Sequence, residues 1–332
     1  WETTNKLNIG TDLQFWNERI SLNFDYYHNK TIDLITDVTL PSSSGFTSYK
    51  DNMGETLNEG FDIQVRFDVY KTKDWSVSLW GNLNHNTNKI LKVSDALRAY
   101  NEQVNDYYGE AEDRQDGNSP LWNAEYSKPI MKYEEGASLT SIFAVRSLGI
   151  DPVTGKELFL NRDGSISNTW NALQEVRVGD TEPKASGSFG VNLVYKNLSL
   201  FASFSYDWGK SAYNETLVNE VENADVQYSN VDRRVLTDRW QKPGDHAKFK
   251  GISLTETTPI SSRFVLRENY IKAESISVGY DFESQAVQKL GIQSLRLQAN
   301  TTDLFRISSI KEERGIEYPF ARSFSFSLSA MF

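Results

Sequence analysis

The side chains with chemistry to offer recur at alternate positions along short segments. Asp12 stands in the first, Asp25 and Tyr27 in the second, Asp62, Arg66 and Asp68 in the third, Trp80 and Asn82 in the fourth, and Arg296 and Asn300 near the carboxyl end. Carboxylates, amides and guanidinium groups interleaved with an indole can hydrogen-bond and stack a solute. Nothing in this set is arranged to break a bond: there is no GxSxG elbow, P-loop, HExxH or dinucleotide-binding glycine motif. With 45 Asp and Glu among 332 residues, carboxylate pairs arise by chance, and an enzyme is not expected. His28, His85 and His246 are scattered singly and cysteine is absent, which removes thiolate metal sites and disulfides. Trp80 is a large aromatic on an otherwise polar set, beside Asn82 and Asn84. It suits stacking on a sugar ring or a peptide, or packing against another part of the protein. Trp122, Tyr126 and Trp170 lie in the longest polar connection. Loops carry function disproportionately, so these three are candidates for contact with substrate or a partner, or for packing among themselves.

The elements that must position these groups are strands, because the alternation has period two. Leu7, Ile9, Leu13 and Phe15 oppose Asn8, Gly10, Asp12 and Gln14; after the turn Trp16 to Arg19, Ile20, Leu22, Phe24 and Tyr26 oppose Ser21, Asn23, Asp25 and Tyr27. Phe61, Ile63, Val65, Phe67 and Val69 oppose Asp62, Gln64, Arg66 and Asp68, and Trp75, Val77, Leu79 and Leu83 oppose Ser76, Ser78, Trp80, Asn82 and Asn84. The pattern resumes at 185–195, returns at 198–206 after Lys196-Asn197, and continues at 270–282 and 295–300. It ends with Arg322 to Phe332, where Phe324, Phe326, Leu328, Ala330 and Phe332 face away from four serines. Eleven residues at roughly 3.4 Å each, tilted by about 45°, rise roughly 26 Å, the height of the apolar band of an outer-membrane barrel. A helical piece is expected near Asp95 to Val104, and a hairpin around Ile142 to Leu160.

Connection length varies with parity. Turns after the first, third, fifth and seventh strands are short. The connections after the second, fourth, sixth and eighth, near 36–56, 86–183, 209–269 and 305–321, are long. An antiparallel transmembrane β-barrel with short turns on one side and long extracellular loops on the other sorts its connections this way, whereas a soluble sandwich has no reason to. Trp16, Tyr70, Trp75, Tyr195, Tyr280 and Phe282 cluster by the short turns, where an interfacial aromatic girdle belongs. A mean hydropathy of -0.53 leaves no run long enough for a membrane helix, and a net charge of -10 with no basic block argues against a nucleic-acid partner. Nine strands, or eleven if the 142–160 hairpin joins, is an odd number. Bacterial single-chain barrels are even and tolerate no open edge in lipid, so further strands before Trp1 or from another chain are expected. The start at Trp1, without Met or signal peptide, reads as a mature or truncated piece.

Several phrases carry a resemblance: Trp1 to Thr4, Asn23 to Tyr27, Asn52 to Gly54 with Asn58 to Phe61, Gly149 to Pro152 with Thr154-Gly155, and Gly179 to Pro183. Asp238 to Trp240 with Pro243 to Asp245, Asn269 to Ile271, and Tyr318-Pro319 before the last strand complete it. In this order, over essentially the whole chain, they resemble the carboxy-terminal part of the SusC/RagA family of TonB-dependent outer-membrane transporters. The resemblance implies a large, plugged barrel of about 22 strands in the bacterial outer membrane, coupling to TonB through a part not in this chain, and a SusD-like lipoprotein lid. Active import of an oligosaccharide or oligopeptide follows as the expected function. A TonB-dependent receptor for a metal chelate or vitamin-like cofactor, and a non-transporting surface or scaffold barrel, are the alternatives. No cofactor is expected: the family's Ca²⁺-loop-like phrase is represented by Asn161-Arg162-Asp163-Gly164, with a basic residue inside and too few carboxylates.

Overall fold

A computed structural model describes residues 1–39, 48–52, 54–113, 129–227, 230–253, 257–282, 291–311 and 322–332. Nine long strands make one antiparallel sheet: β1 (Thr3–Phe15), β2 (Ile20–Ile32), β3 (Gly54–Lys71), β4 (Trp75–Val93), β5 (Ala185–Tyr195), β6 (Leu198–Tyr213), β7 (Val265–Phe282), β8 (Ser294–Thr302) and β9 (Ser323–Met331). They are paired in chain order, with β1 and β9 at the two edges. A short tenth strand, Arg306–Ser308, continues β8 along the upper part of β7 after a break at 303–305. All nine expected strands are present, each pairing with its sequence neighbour as an up-and-down wall requires.

The register aligns apolar residues in rows on one face of the sheet. Leu13 pairs with Leu22, Leu22 with Val65, Val65 with Gly81, Gly81 with Phe189 and Phe189 with Phe204. Farther along, Leu200 pairs with Val278, Val278 with Ala299 and Ala299 with Phe326. Leu13, Val65, Phe189, Val278 and Phe326 among these are exposed, Phe326 at 76%, and Leu22, Leu200, Phe204 and Ala299 are half-buried. Among the described residues no second sheet covers them, as a sandwich would demand. Among the described residues no helix is long and apolar enough to cross a membrane. Exposed apolar rows on one face of a sheet are a surface that a bilayer can solvate. Phe324, Phe326, Leu328 and Phe332 all lie on it at more than half exposure.

At the short-turn end the aromatics cluster as a girdle does. Trp75 and Tyr195 lie 4.2 Å apart and Tyr280 and Phe282 4.8 Å apart between ring centroids, and Trp16 and Tyr70 are exposed beside them.

The protein's packed core lies elsewhere, in the long connections. The expected helix is α1 (Asp95–Asp113), and Leu97 packs with Ile90 and Val93 at the top of β4. A second cluster gathers Val104, Ala144, Val145, Phe159, Trp170, Ala172 and Ile260, and a third gathers Val218, Val221, Val235, Phe249 and Phe264. The hairpin expected around Ile142 to Leu160 forms differently. Arg146–Ile150 pairs with Glu157–Leu160, while Ser141–Ala144 pairs with Val176–Asp180. Neither joins the wall, so an eleven-strand count is not realised. The four residues Ser141–Ala144 are all buried, and a strand covered on both faces carries no alternation from which to read its partner. Tyr318-Pro319 lies outside the described residues.

Candidate functional site

The opposite, polar face of the sheet collects the interleaved groups, because the same alternation that aligns the apolar rows turns every second residue the other way. Asp12, Asp25, Tyr27, Asp62, Arg66, Asp68, Trp80, Asn82, Arg296 and Asn300 all belong to it by register. Near the loop end, the Asn84 amide donates to Asp62 at 2.6 Å. The Tyr27 hydroxyl donates to the Asn86 side-chain oxygen Oδ1 at 2.9 Å, and the Asn86 side-chain amide donates on to Glu182. Below them the Ser188 hydroxyl donates to Asn82 at 3.0 Å.

Toward the short-turn end, Trp80 lies across Gly190. A Cβ at 190 would stand 2.6 Å from the indole and 2.5 Å from the Ala202 carbonyl oxygen, so only glycine leaves the ring room against the backbone. With Arg66, Ser78 and Asn192, Trp80 lines a hollow of about 340 Å³. Asn192 also lines a second, of about 420 Å³, with Phe201, Ser277, Arg296, Gln298 and Asn300. Arg296 donates to Asp281 at 3.2 Å and to Ser199 at 3.0 Å, and the Gln298 amide donates to Asn300 at 2.7 Å. Two shallow, polar hollows sharing an amide, each with one aromatic, suit a solute rich in hydroxyl or amide groups.

Phe201 is the residue that sequence reasoning missed. It stands between Ser199 and Ser203, opposite Asn192 and Ser277, and the signal that singled out Trp80, a lone aromatic in a polar set, applies to it equally. Also missed is an ionic cluster high on the polar face. Lys210 bridges Asp207 at 3.0 Å and Glu268 at 3.4 Å, and the Arg306 guanidinium lies 4.2 Å from the centroid of Tyr270. A bulge between Asp207 and Lys210 shifts the alternation there and hides the cluster from period-two reading.

Above the wall the loop body is held by buried charge. Arg263 donates to Glu157 at 2.9 Å and to Glu222 at 2.6 Å, and the Thr258 hydroxyl donates to Glu222 at 2.9 Å. Burial pushes the Glu222 carboxyl up, but the Arg263 charge and its hydrogen bond outweigh this and hold it below the usual carboxylate range. At the buried pair of Lys132 and Glu175 burial wins, and the Glu175 carboxyl stays above that range. Two of the sequence phrases interlock here. The Trp240 indole donates to the Pro152 carbonyl at 2.9 Å and lies flat on Gly155, whose φ of +71° and a would-be Cβ 2.5 Å from the ring both require glycine.

Trp170 is a correction to the sequence reading. It is 2% exposed and donates its indole N–H to the Ile260 carbonyl at 2.8 Å, so it is part of the loop core and offers no open contact face. Trp122 and Tyr126 lie outside the described residues. At Asn161 to Gly164, Asp163 accepts from the Ser165 amide and hydroxyl at 2.9 and 2.7 Å, closing a turn. Among the described residues no three His, Asp or Glu converge on a metal position.

Residues 1–127 match the family described as TonB dependent receptor-like, beta-barrel. TonB-dependent receptor P3 of Formosa agariphila is 26% identical over 306 residues, which is 92% of this chain and 29% of that protein. TonB-dependent receptor SusC of Bacteroides thetaiotaomicron is 23% identical, over 100% of this chain and 32% of its own length. Among solved structures, that of the RagAB peptide transporter superposes with a TM-score of 0.72 at 23% identity, covering 93% of this chain and 32% of that one. At that identity the likeness is one of fold. The chain spans about a third of the length of the curated relatives it matches.

Proposed function

We propose that the chain belongs to the TonB-dependent receptor-like β-barrel family of the bacterial outer membrane, in its SusC/RagA branch, and that it forms a carboxy-terminal portion of the wall of a nutrient importer. The substrate is an oligosaccharide or an oligopeptide, import is driven through TonB, and a SusD-like lipoprotein works at the extracellular mouth. Support for the partner and the substrate class comes from the relatives, one a SusC and one a peptide transporter. No residue of this chain is assigned to energy coupling.

The observation that carries the reading is the polar face itself. A sheet with lipid on one side and a dry hydrophobic core on the other would line the second side with apolar residues. Here carboxylates, amides, arginines and two isolated aromatics, Trp80 and Phe201, line it instead. Such a face suits a wet passage in which neutral polar solutes make exchangeable hydrogen bonds and stack briefly on rings. In this proposal Trp80 and Phe201 are substrate contacts, with Asn82, Asn192 and Asn300 as hydrogen-bonding neighbours and Tyr27 at the mouth.

The test is uptake by the full-length transporter carrying Trp80→Ala, Phe201→Ala or both. Each ring supplies about 1 kcal/mol of contact, roughly fivefold in affinity. The double variant is expected to import labelled oligosaccharides or peptides markedly more slowly at limiting concentration, with normal amounts of protein in the outer membrane. Unchanged uptake by the double variant would remove both rings from the substrate's path.

A further inference from the structure

One hollow lies at the upper edge of the wall, where Asn86 and Glu182 of the polar face and Val178 of the loop body border a set of residues on the apolar side. It has a volume of about 680 Å³ and opens where β5, beginning only at Ala185, leaves a gap between the upper ends of β4 and β6. Four exposed cations line it: Lys89 on β4, Arg177 and Lys184 on the segment leading into β5, and Arg267 on β7. Lys89 has Glu59 at 4.0 Å, and no carboxylate pairs with Arg177, Lys184 or Arg267 among the described residues. The two acids lining the same hollow are already engaged. Asp180 accepts from the Ser138 and Thr140 hydroxyls at 2.5 and 2.6 Å, and Glu182 accepts from Asn86. Four cations against two carboxylates make this spot positive on a chain whose net charge is -10.

Its position identifies what it faces. Lys89 belongs to the alternate set of β4 that carries Leu79 and Leu83, and Arg267 to the set of β7 that carries Ile271 and Ala273, so both stand on the apolar side of the wall. The segment bearing Arg177 crosses that same side, since Gly179 packs on Ser211 and Val265. Arg267 is four residues beyond Ile271, which at roughly 3.3 Å per residue and a tilt of about 45° is roughly 9 Å above that rung. The polar headgroup layer begins at the edge of the hydrocarbon and is roughly 5–7 Å thick on each side, within reach of a lysine or arginine stem. At this end of the wall, where the long loops emerge, the layer is the outer leaflet.

We propose that this hollow is a binding site for a phosphate-bearing lipid headgroup of the outer leaflet, with Arg177, Lys184 and Arg267 gripping the phosphate oxygens and Lys89 at its rim. Guanidinium groups match phosphate geometry through paired N–H donors, and the adjoining apolar wall accommodates the acyl chains. The proposal rests on the wall standing in the outer membrane and is independent of what the passage carries.

The test uses the full-length transporter purified in detergent and examined by native mass spectrometry with three lipids: a phosphorylated outer-leaflet glycolipid, the same glycolipid after phosphatase treatment, and phosphatidylethanolamine. Inorganic phosphate and an acidic hexapeptide serve as competitors. The phosphorylated glycolipid is expected to be retained at least about tenfold better than its dephosphorylated form. The triple variant Arg177→Gln, Lys184→Gln, Arg267→Gln is expected to lose that preference, and Arg177→Lys, Lys184→Arg, Arg267→Lys to keep it. Uptake by the triple variant should stay within about twofold of wild type, separating failure here from failure of the transport reading. Equal retention of the two glycolipids, or a preference that survives in the triple variant, overturns the site. Displacement by millimolar inorganic phosphate would make free phosphate the ligand, and displacement by the hexapeptide would make it an acidic chain. Either result overturns the lipid assignment.

Discussion

Trp80 keeps its place because residue 190 has no side chain. Since a Cβ there meets the Ala202 carbonyl as well as the indole, a larger residue must move backbone, and a ring shift alone does not relieve it. Gly190→Val is therefore expected to cost roughly 1–3 kcal/mol, read as a lower urea midpoint for folding into lipid vesicles; a midpoint equal to wild type would mean the sheet yields freely. Charge in the loop body makes a second residue-scale prediction. Glu222 is held below its ordinary value of 4.5, and Asp232 and Asp238 lie below theirs through hydrogen bonds from Arg234 and Thr237 respectively. Groups lowered by folding stabilise it above their unfolded values, and that contribution is lost as pH falls through the folded ones. Glu175, raised by burial, has the opposite sign and favours the folded form as it takes up a proton. Amide-exchange protection, corrected for intrinsic rates, should thus fall around Leu217–Glu222 and 258–264, which surround the Glu222 carboxylate, between about pH 5 and pH 3, and fall less around Lys132 and Ala172–Gln174, beside Glu175. Equal loss in both regions would show that their buried charges are not what distinguishes them.

Elements were legible where the environment differs on the two sides. From Phe61 to Val69 and from Trp75 to Leu83 one side meets lipid and the other water, so alternation is strict and the strands were placed within a few residues. β3 and β4 run on to Gly54 and Val93, beyond the apolar rows, where both faces are polar or packed by loops and the period vanishes while the ladder continues. The same reasoning explains what the site reading caught and lost. Trp80 and the carboxylates were visible as departures in a strict pattern, and the Lys210 cluster disappeared behind a bulge. Trp170 stood as a candidate for substrate or partner contact, or for packing among loop aromatics, because its loop is polar in composition, and that loop folds around its own core. The two faces make an element-scale prediction. Leu79→Arg puts a charge in the middle of the apolar band and is expected to cost roughly 2–4 kcal/mol of folding stability in bilayers. Asn82→Arg, on the polar face three residues away, is expected to cost under about 1 kcal/mol, as surface substitutions usually do. Equal costs, measured side by side in vesicles of one composition, would mean the faces are assigned wrongly.

At the scale of the whole molecule the governing fact is that β1 and β9 each pair on one side only. In an antiparallel ladder alternate residues turn both backbone groups to the same side, so thirteen residues on β1 and nine on β9 leave about ten N–H and ten C=O groups facing outward from the two edges. Each such group in hydrocarbon costs several kcal/mol. Even if only half of them reach lipid, the sum runs to tens of kcal/mol, above the roughly 5–15 kcal/mol by which folded domains are stable. The open sheet is thus untenable in a bilayer as a lone monomer, whatever its side chains contribute. Produced alone and offered lipid vesicles, the 332-residue chain is expected to give no protease-protected, heat-modifiable monomer. It should associate edge to edge or stay outside the membrane, whereas the full-length protein inserts. A protected monomer would mean that β1 and β9 meet and close nine strands on themselves, and the wall would then be a small complete barrel and no longer an arc of a large one.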